Sequence, residues 1–256
     1  MVGELAGRTV VVTGGASGNG RAIALACARE GANVVVADLL EDPREGGRPT
    51  HVEAGSRHGH GTSFVRCDVR DPADLEAAVE AAEAFGGVDV LVANAGVLQK
   101  RPLLELTEAD YALVMDVNVK GVLFAAQAAA RRMVPRGNGS IVMLASIAGI
   151  RGTRGYALYN ASKGAVRLLT SSLADELGPS GIRVVSVCPG IIDTQMNVVD
   201  DPVIGTEAGE RYLDQIPLRR WGHVDEVAEA IVFLASDRAS YLTGTSLTID
   251  GGYLRI

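Results

Sequence analysis

The chain has 256 residues, 47% of them hydrophobic, with a formal net charge of -7 and a pI near 5.2. That is enough apolar material for a substantial core, and the acidic balance, with no basic run interleaved with aromatics, argues against an electrostatic grip on nucleic acid. The three cysteines, Cys27, Cys67 and Cys188, are scattered without metal-ligand spacing and suit a reducing compartment as buried small hydrophobes. The N-terminus lacks a signal-peptide layout, and no stretch approaches the roughly 18 apolar residues of a membrane span. A cytoplasmic chain with neither nucleic-acid nor membrane partners is expected.

In chain order, a first predicted strand at 9–12 runs into TGGASGNG, residues 13–20, and then into a helix over 20–30. Gly14, Gly18 and Gly20 let the backbone turn tightly and approach a ligand, and the helix start behind them offers free N–H groups and a positive dipole to a phosphate. The spacing is not GxGxxG, since Ile23 falls where the third glycine would stand. A second strand, 33–37, is followed by Asp38, 18 residues past Gly20. An acid there can hydrogen-bond the adenosine ribose hydroxyls and repel a 2′-phosphate, and Ser17 supplies no positive charge for one. The expected cofactor is therefore NAD.

Residues 41–61, rich in Gly, Arg and His, read as mostly loop. Their His51, His58 and His60 have no carboxylate or Cys to complete a metal site, so no metal is expected. Further strands at 63–66, 89–93, 140–145, 183–187 and 246–249 alternate with helices at 72–84, 107–114, 119–134, 156–177 and 224–235. The strand runs are mostly apolar throughout, as in a parallel sheet buried on both faces. The alternation predicts an α/β fold: one Rossmann-type doubly wound domain over 1–256, with a mostly parallel seven-stranded sheet, helices on both faces and right-handed crossovers. Residues 194–217 form a long polar insertion, read as a substrate lid.

Tyr159 and Lys163, in YNASK, lie four residues apart and so share a helix face. An ammonium beside a phenol favours the phenolate and lowers its pKa, which makes the pair a candidate acid/base couple for an alcohol oxygen. With only three lysines and six tyrosines, some Tyr meets a Lys at this spacing in roughly 7% of random orderings, so the pair needs a second signal. The glycine turn and Asp38 provide it.

Together these motifs resemble the short-chain dehydrogenase/reductase family in its compact single-domain form, over essentially the whole chain. The family's TGxxxGxG is matched by Thr13, Gly14, Gly18 and Gly20, and its NAG by Asn94-Ala95-Gly96. The resemblance implies an adenine contact from Asp68-Val69 and an active-site Asn at Asn118. It implies a catalytic Ser at Ser146, 13 residues before Tyr159, and a nicotinamide-holding segment at Pro189-Gly190, Ile192 and Thr194. Two departures stand out. Asn19 replaces a common Ile beside the pyrophosphate, and the stretch between Asp38 and Asp68 is long, so a short or disordered helix is expected there. By this resemblance Tyr159 exchanges the hydroxyl proton, Ser146 steadies the reacting oxygen, Lys163 lowers the Tyr pKa and holds the nicotinamide ribose, and Asn118 anchors a water.

The expected substrate is a secondary alcohol or ketone. A 3-oxoacyl carrier-protein reductase or a sugar, polyol or steroid dehydrogenase are the alternatives, and a non-catalytic NAD sensor is the reading from another class. The pocket is expected from 97–101, 147–156 and the lid, with Arg151 and Arg154 either favouring an anion or simply solvated. The resemblance implies a homotetramer, with the Ala-rich 119–134 helix, the 156–177 helix and the stretch around Tyr253 and Leu254 as partner contacts.

Overall fold

The computed structural model of the protein describes residues 3–255. Seven strands form one parallel sheet: β1 (Thr9–Thr13), β2 (Asn33–Asp38), β3 (Thr62–Arg66), β4 (Val90–Ala93), β5 (Gly139–Leu144), β6 (Ile182–Pro189) and β7 (Ser246–Ile249). Their order is β3-β2-β1-β4-β5-β6-β7. Each strand lies parallel to its neighbours, with Val11 opposite both Val35 and Leu91 at the centre. The order reverses between β1 and β4, which opens a crevice at the carboxyl ends of those strands.

Successive side chains point to opposite faces, so each strand feeds two cores. Val10, Val12, Val34 and Val36 pack with helices α1 (Gly18–Arg29) and α8 (Val224–Ala235) on one face. Val11, Val35, Leu91 and Ile141 pack with α3 (Pro72–Glu80), α5 (Val122–Met133) and α6 (Ala157–Leu177) on the other. Both faces being covered explains why the strands read as unbroken apolar runs.

The region 41–61 is mostly loop, as expected, and its one ordered element is the short helix α2 (Thr50–His58) in the second half. The helix buries only Thr50 and Ala54, so its apolar signal is faint. Tertiary contacts hold it: the Thr50 hydroxyl donates to the Ala16 carbonyl at 3.0 Å, and Arg21 of α1 pairs with Glu53. Gly59, in the left-handed region at φ 72°, ends it.

The helices expected at 107–114 and 119–134 are one run. A π turn, Asp116–Gly121, joins α4 (Glu108–Met115) to α5. Reading them separately hid a segment, Glu108–Arg136, that is long and apolar enough by composition to cross a membrane, with mean hydropathy 1.3. Half of its most apolar window lies inside the protein, as in a core helix. Ala125, Ala126, Ala128, Ala129 and Ala130 all face the protomer's own core, while Gln127 and Arg131 of the same helix are exposed. The predicted lid contains a π turn, Met196–Asp200, and α7 (Glu207–Leu213).

All three cysteines are free and buried. Burial pushes the Cys27 and Cys67 thiols up to about 12. A thiol whose folded pKa is raised contributes stability that is fully present below its unfolded pKa, near 9, and is lost as pH rises toward 12. Cys27→Ala is therefore expected to show a smaller drop in Tm than the parent between pH 8 and pH 10.5, measured by thermal melts; equal drops would contradict this.

Candidate active site

The crevice at the switch point is a cavity of about 730 Å³. Gly14, Ser17, Asn19, Gly20, Asp38, Asp68, Val69, Asn94 and Gly96 line it from one end. Ser146, Tyr159, Lys163, Pro189, Gly190, Ile192 and Thr194 line it from the other. Thr13 and Asn118, both expected to act there, stand behind its wall.

Thr13 ends β1, and its hydroxyl accepts from the Asn94 and Ala95 backbone N–H groups at 3.1 and 3.2 Å. Asn94 returns the tie, donating from Nδ2 to the Thr13 and Gly14 carbonyls at 3.0 Å each. These bonds hold β1 and β4 together where the cavity opens. The glycines are needed for close approach: a Cβ at Gly20 would meet the Gly14 carbonyl oxygen at 1.9 Å. Gly20→Ala is expected to cost about 1–3 kcal/mol through overpacking, read as a lower Tm together with weaker NADH binding by titration; an unchanged Tm would contradict it.

The geometry of this end fits a dinucleotide. The Gly18 N–H at the start of α1 already attracts an anion, the Glu45 carboxylate at 2.9 Å, which stands in for the phosphate oxygens such a helix start favours. Asn19 lines the cavity with its Oδ1 buried and without a hydrogen-bond partner. Asp38 Oδ2 accepts from the Ala16 N–H at 2.9 Å, which fixes the carboxylate over the glycine loop. Asp68 is otherwise engaged: Arg70 donates to both of its oxygens, from Nε at 2.9 and 3.1 Å and from Nη2 at 2.5 Å, and this guanidinium holds the carboxyl below its usual range.

At the reacting end, α6 places Tyr159 and Lys163 on one face, with Lys163 Nζ 5.8 Å from the Tyr159 ring centroid. Lys163 is 4% exposed, and its ammonium donates to the Leu144 carbonyl at 2.7 Å at the end of β5. Burial pulls its pKa down to about 8. Burial also raises the Tyr159 phenol above its ordinary range, with the Ser146 hydroxyl acting in the opposite direction. The expected lowering of Tyr159 by Lys163 is thus not met by the protein groups alone, because loss of water around the phenol outweighs its neighbours. Ser146 follows β5, and its Oγ caps a short turn by accepting from Ala148 N–H at 3.1 Å.

Asn118 sits inside the π turn, fully buried. Its Oδ1 accepts from Val97 N–H at 2.8 Å, and its Nδ2 donates to the Val97 carbonyl at 2.9 Å and to Ser162 Oγ at 3.1 Å. The side chain therefore clamps the segment after Gly96 onto α6, with both Nδ2 hydrogens engaged and one Oδ1 lone pair left over.

Arg44 and Tyr253 line the cavity from outside the segments expected to form it. Arg44 reaches across to the lid, donating to Asp200 from both guanidinium nitrogens at 2.8 and 2.6 Å. Its backbone N–H also donates to Ser17 Oγ at 2.9 Å. On the substrate side the Tyr156 hydroxyl donates to Asp201, whose other oxygen lies 3.7 Å from Lys100 Nζ. Tyr212 of α7 adds an aromatic wall with Tyr253, their ring centroids 6.3 Å apart. Arg44 and Asp200 lie 156 residues apart, and no local pattern links them.

A family model described as enoyl-(acyl carrier protein) reductase matches residues 14–254. The chain is 41% identical to L-rhamnose 1-dehydrogenase (NAD(P)(+)) of Azotobacter vinelandii over 247 residues, covering 96% of each protein. It superposes with TM-score 0.88 on a short-chain type dehydrogenase/reductase from Mycobacterium marinum at 35% identity, covering 97% of this chain and 96% of that one. A solved chain from Agrobacterium tumefaciens with bound NADP is also similar, at TM-score 0.88 and 35% identity over 98% of each chain. The chain belongs to the short-chain dehydrogenase/reductase family. It is an oxidoreductase of the kind that works with a nicotinamide cofactor.

Proposed function

We propose that the protein is an NAD-dependent dehydrogenase interconverting a secondary alcohol and a ketone. The observation that carries this reading is one cavity with Tyr159, Lys163 and Ser146 at one end and Asp38 on the glycine loop at the other. When bound, the cofactor supplies the hydride acceptor. Tyr159 takes the hydroxyl proton in oxidation and returns it in reduction. Ser146 donates to the reacting oxygen and steadies its developing charge. Lys163, held by the Leu144 carbonyl, keeps a positive charge under the site below pH 8 or so. Asn118 acts by fixing the Val97 segment and Ser162 rather than by touching the substrate.

Asp38 supports NAD because a carboxylate anchored beside the glycine loop can accept from ribose hydroxyls and repels a 2′-phosphate. The nearby cation, Arg44, is engaged by Asp200, and Arg70 by Asp68. The same argument counts against a 3-oxoacyl carrier-protein reductase working with NADPH. A panel of secondary alcohols offered with NAD, read by NADH absorbance, tests the reading, and a protein that binds NADH tightly but oxidises none of them would replace it with a sensor.

A homotetramer is the proposed assembly. Beside α5 and the stretch around Tyr253 and Leu254, the exposed Tyr111 and Leu168, 55% and 71% exposed, are apolar side chains that α4 and α6 offer to partner copies. Mass measurement in solution is expected to give four chains, and a monomer would contradict it.

A further inference from the structure

Beside the substrate end of the cavity lies a depression bounded by Arg151 and Arg154, on the loop after Ser146, and by Arg211 on α7. Arg151, Thr153, Tyr212 and Tyr253 line both spaces, so the depression opens directly into the active-site cavity. No acidic residue lines it.

The arginines there are poorly matched by protein charge. Arg151 and Arg154 make no ion pair among the described residues, although the chain carries a net charge of -7. The Arg211 ion pair is with Glu207, one turn earlier on its own helix, at 3.9 Å with both side chains largely exposed. Such a surface pair is worth about 0–1 kcal/mol. At the same mouth the cation Lys100 does have a carboxylate, Asp201. Arg151 is also oriented: its guanidinium lies over the Tyr253 ring, 5.4 Å from the centroid. Three guanidinium groups from two separate elements thus surround one concave space with no carboxylate lining it. Like charges so placed repel one another, and an anion between them converts that repulsion into attraction.

We propose that this depression binds the anionic group, a carboxylate or a phosphate monoester, of a substrate whose secondary alcohol lies at Tyr159. The proposal rests on the dehydrogenase reading of the cavity. Guanidinium forks match both anions in a planar, bidentate manner. Because Arg211 belongs to the lid and Arg151 to the loop carrying Ser146, one bound anion ties the lid to the reacting end.

The test is calorimetric titration of the protein with NADH present, which forms a dead-end complex with alcohols and needs no turnover. The probes are cis-3-hydroxycyclohexanecarboxylate, its methyl ester, and the monophosphate of cyclohexane-1,3-diol. At least one of the two anions is expected to bind about tenfold tighter than the ester, as charge-assisted hydrogen bonds allow, and the better one identifies the group. In the double variant Arg151→Gln/Arg154→Gln the preference is expected to fall below about threefold, while the Kd for NADH stays within about twofold. Absence of an anion preference in the parent protein, or its persistence in the double variant, overturns the proposal. A protein that prefers the anions but reduces no NAD with any alcohol sinks the dehydrogenase reading and leaves the subsite standing.

Discussion

Tyr159→Phe is expected to lower kcat by about 10²–10⁴-fold, the range that a positioned acid or base contributes. NADH binding by the variant should stay within about twofold of the parent, because the loss of one hydroxyl removes proton exchange without disturbing the glycine loop. The phenol lines the cavity, where desolvation raises it above its ordinary pKa, so it serves well as the proton donor in ketone reduction. Its use as a base requires more stabilisation of the phenolate than Ser146 alone gives. Steady-state rates set beside fluorescence titration with NADH separate the two effects. Near-normal turnover in the variant would remove Tyr159 from the chemistry.

Asp38→Ala is the second large effect. It is expected to shift the ratio of kcat/KM for NAD over NADP by about 10²-fold or more toward NADP. Two contributions add: loss of charge-assisted bonds to the ribose hydroxyls, about 1.5–3 kcal/mol, and relief of the repulsion that a 2′-phosphate meets at a carboxylate. Because Asp38 also accepts from the Ala16 N–H, a modest loss of Tm should accompany the change. A parent enzyme that prefers NADP would show that Asp38 does not select the cofactor.

Much of this was legible in the chain because the sheet writes its burial into the sequence. Runs such as Val10-Val11-Val12 and Val34-Val35-Val36 are apolar on both faces because helices cover both faces. The glycine turn was legible for a related reason: only a missing side chain lets Gly20 sit against the Gly14 carbonyl. The π turn was not, since one wide turn around Asn118 leaves no change in apolar period. The α2 helix was legible only through the family resemblance, because Arg21 and the Ala16 carbonyl stabilise it rather than its own pattern. The place of the α5 alanines was not legible for the opposite reason: small residues suit a helix interface and a tight core alike, and only the layering of α5 on the sheet shows that these five pack within the protomer. The direction of the Tyr159 shift depends on how completely the site excludes water, which no spacing of Tyr and Lys encodes.

The most direct test of the central claim is to follow NAD reduction by secondary alcohols carrying deuterium at the carbinol carbon, in the parent protein and in Tyr159→Phe. The account predicts growth of NADH absorbance with at least one alcohol, deuterium recovered in the reduced nicotinamide ring, and loss of both signals in the variant. Tight NADH binding with no alcohol oxidised, or deuterium lost to water instead of reaching the nicotinamide, would contradict it.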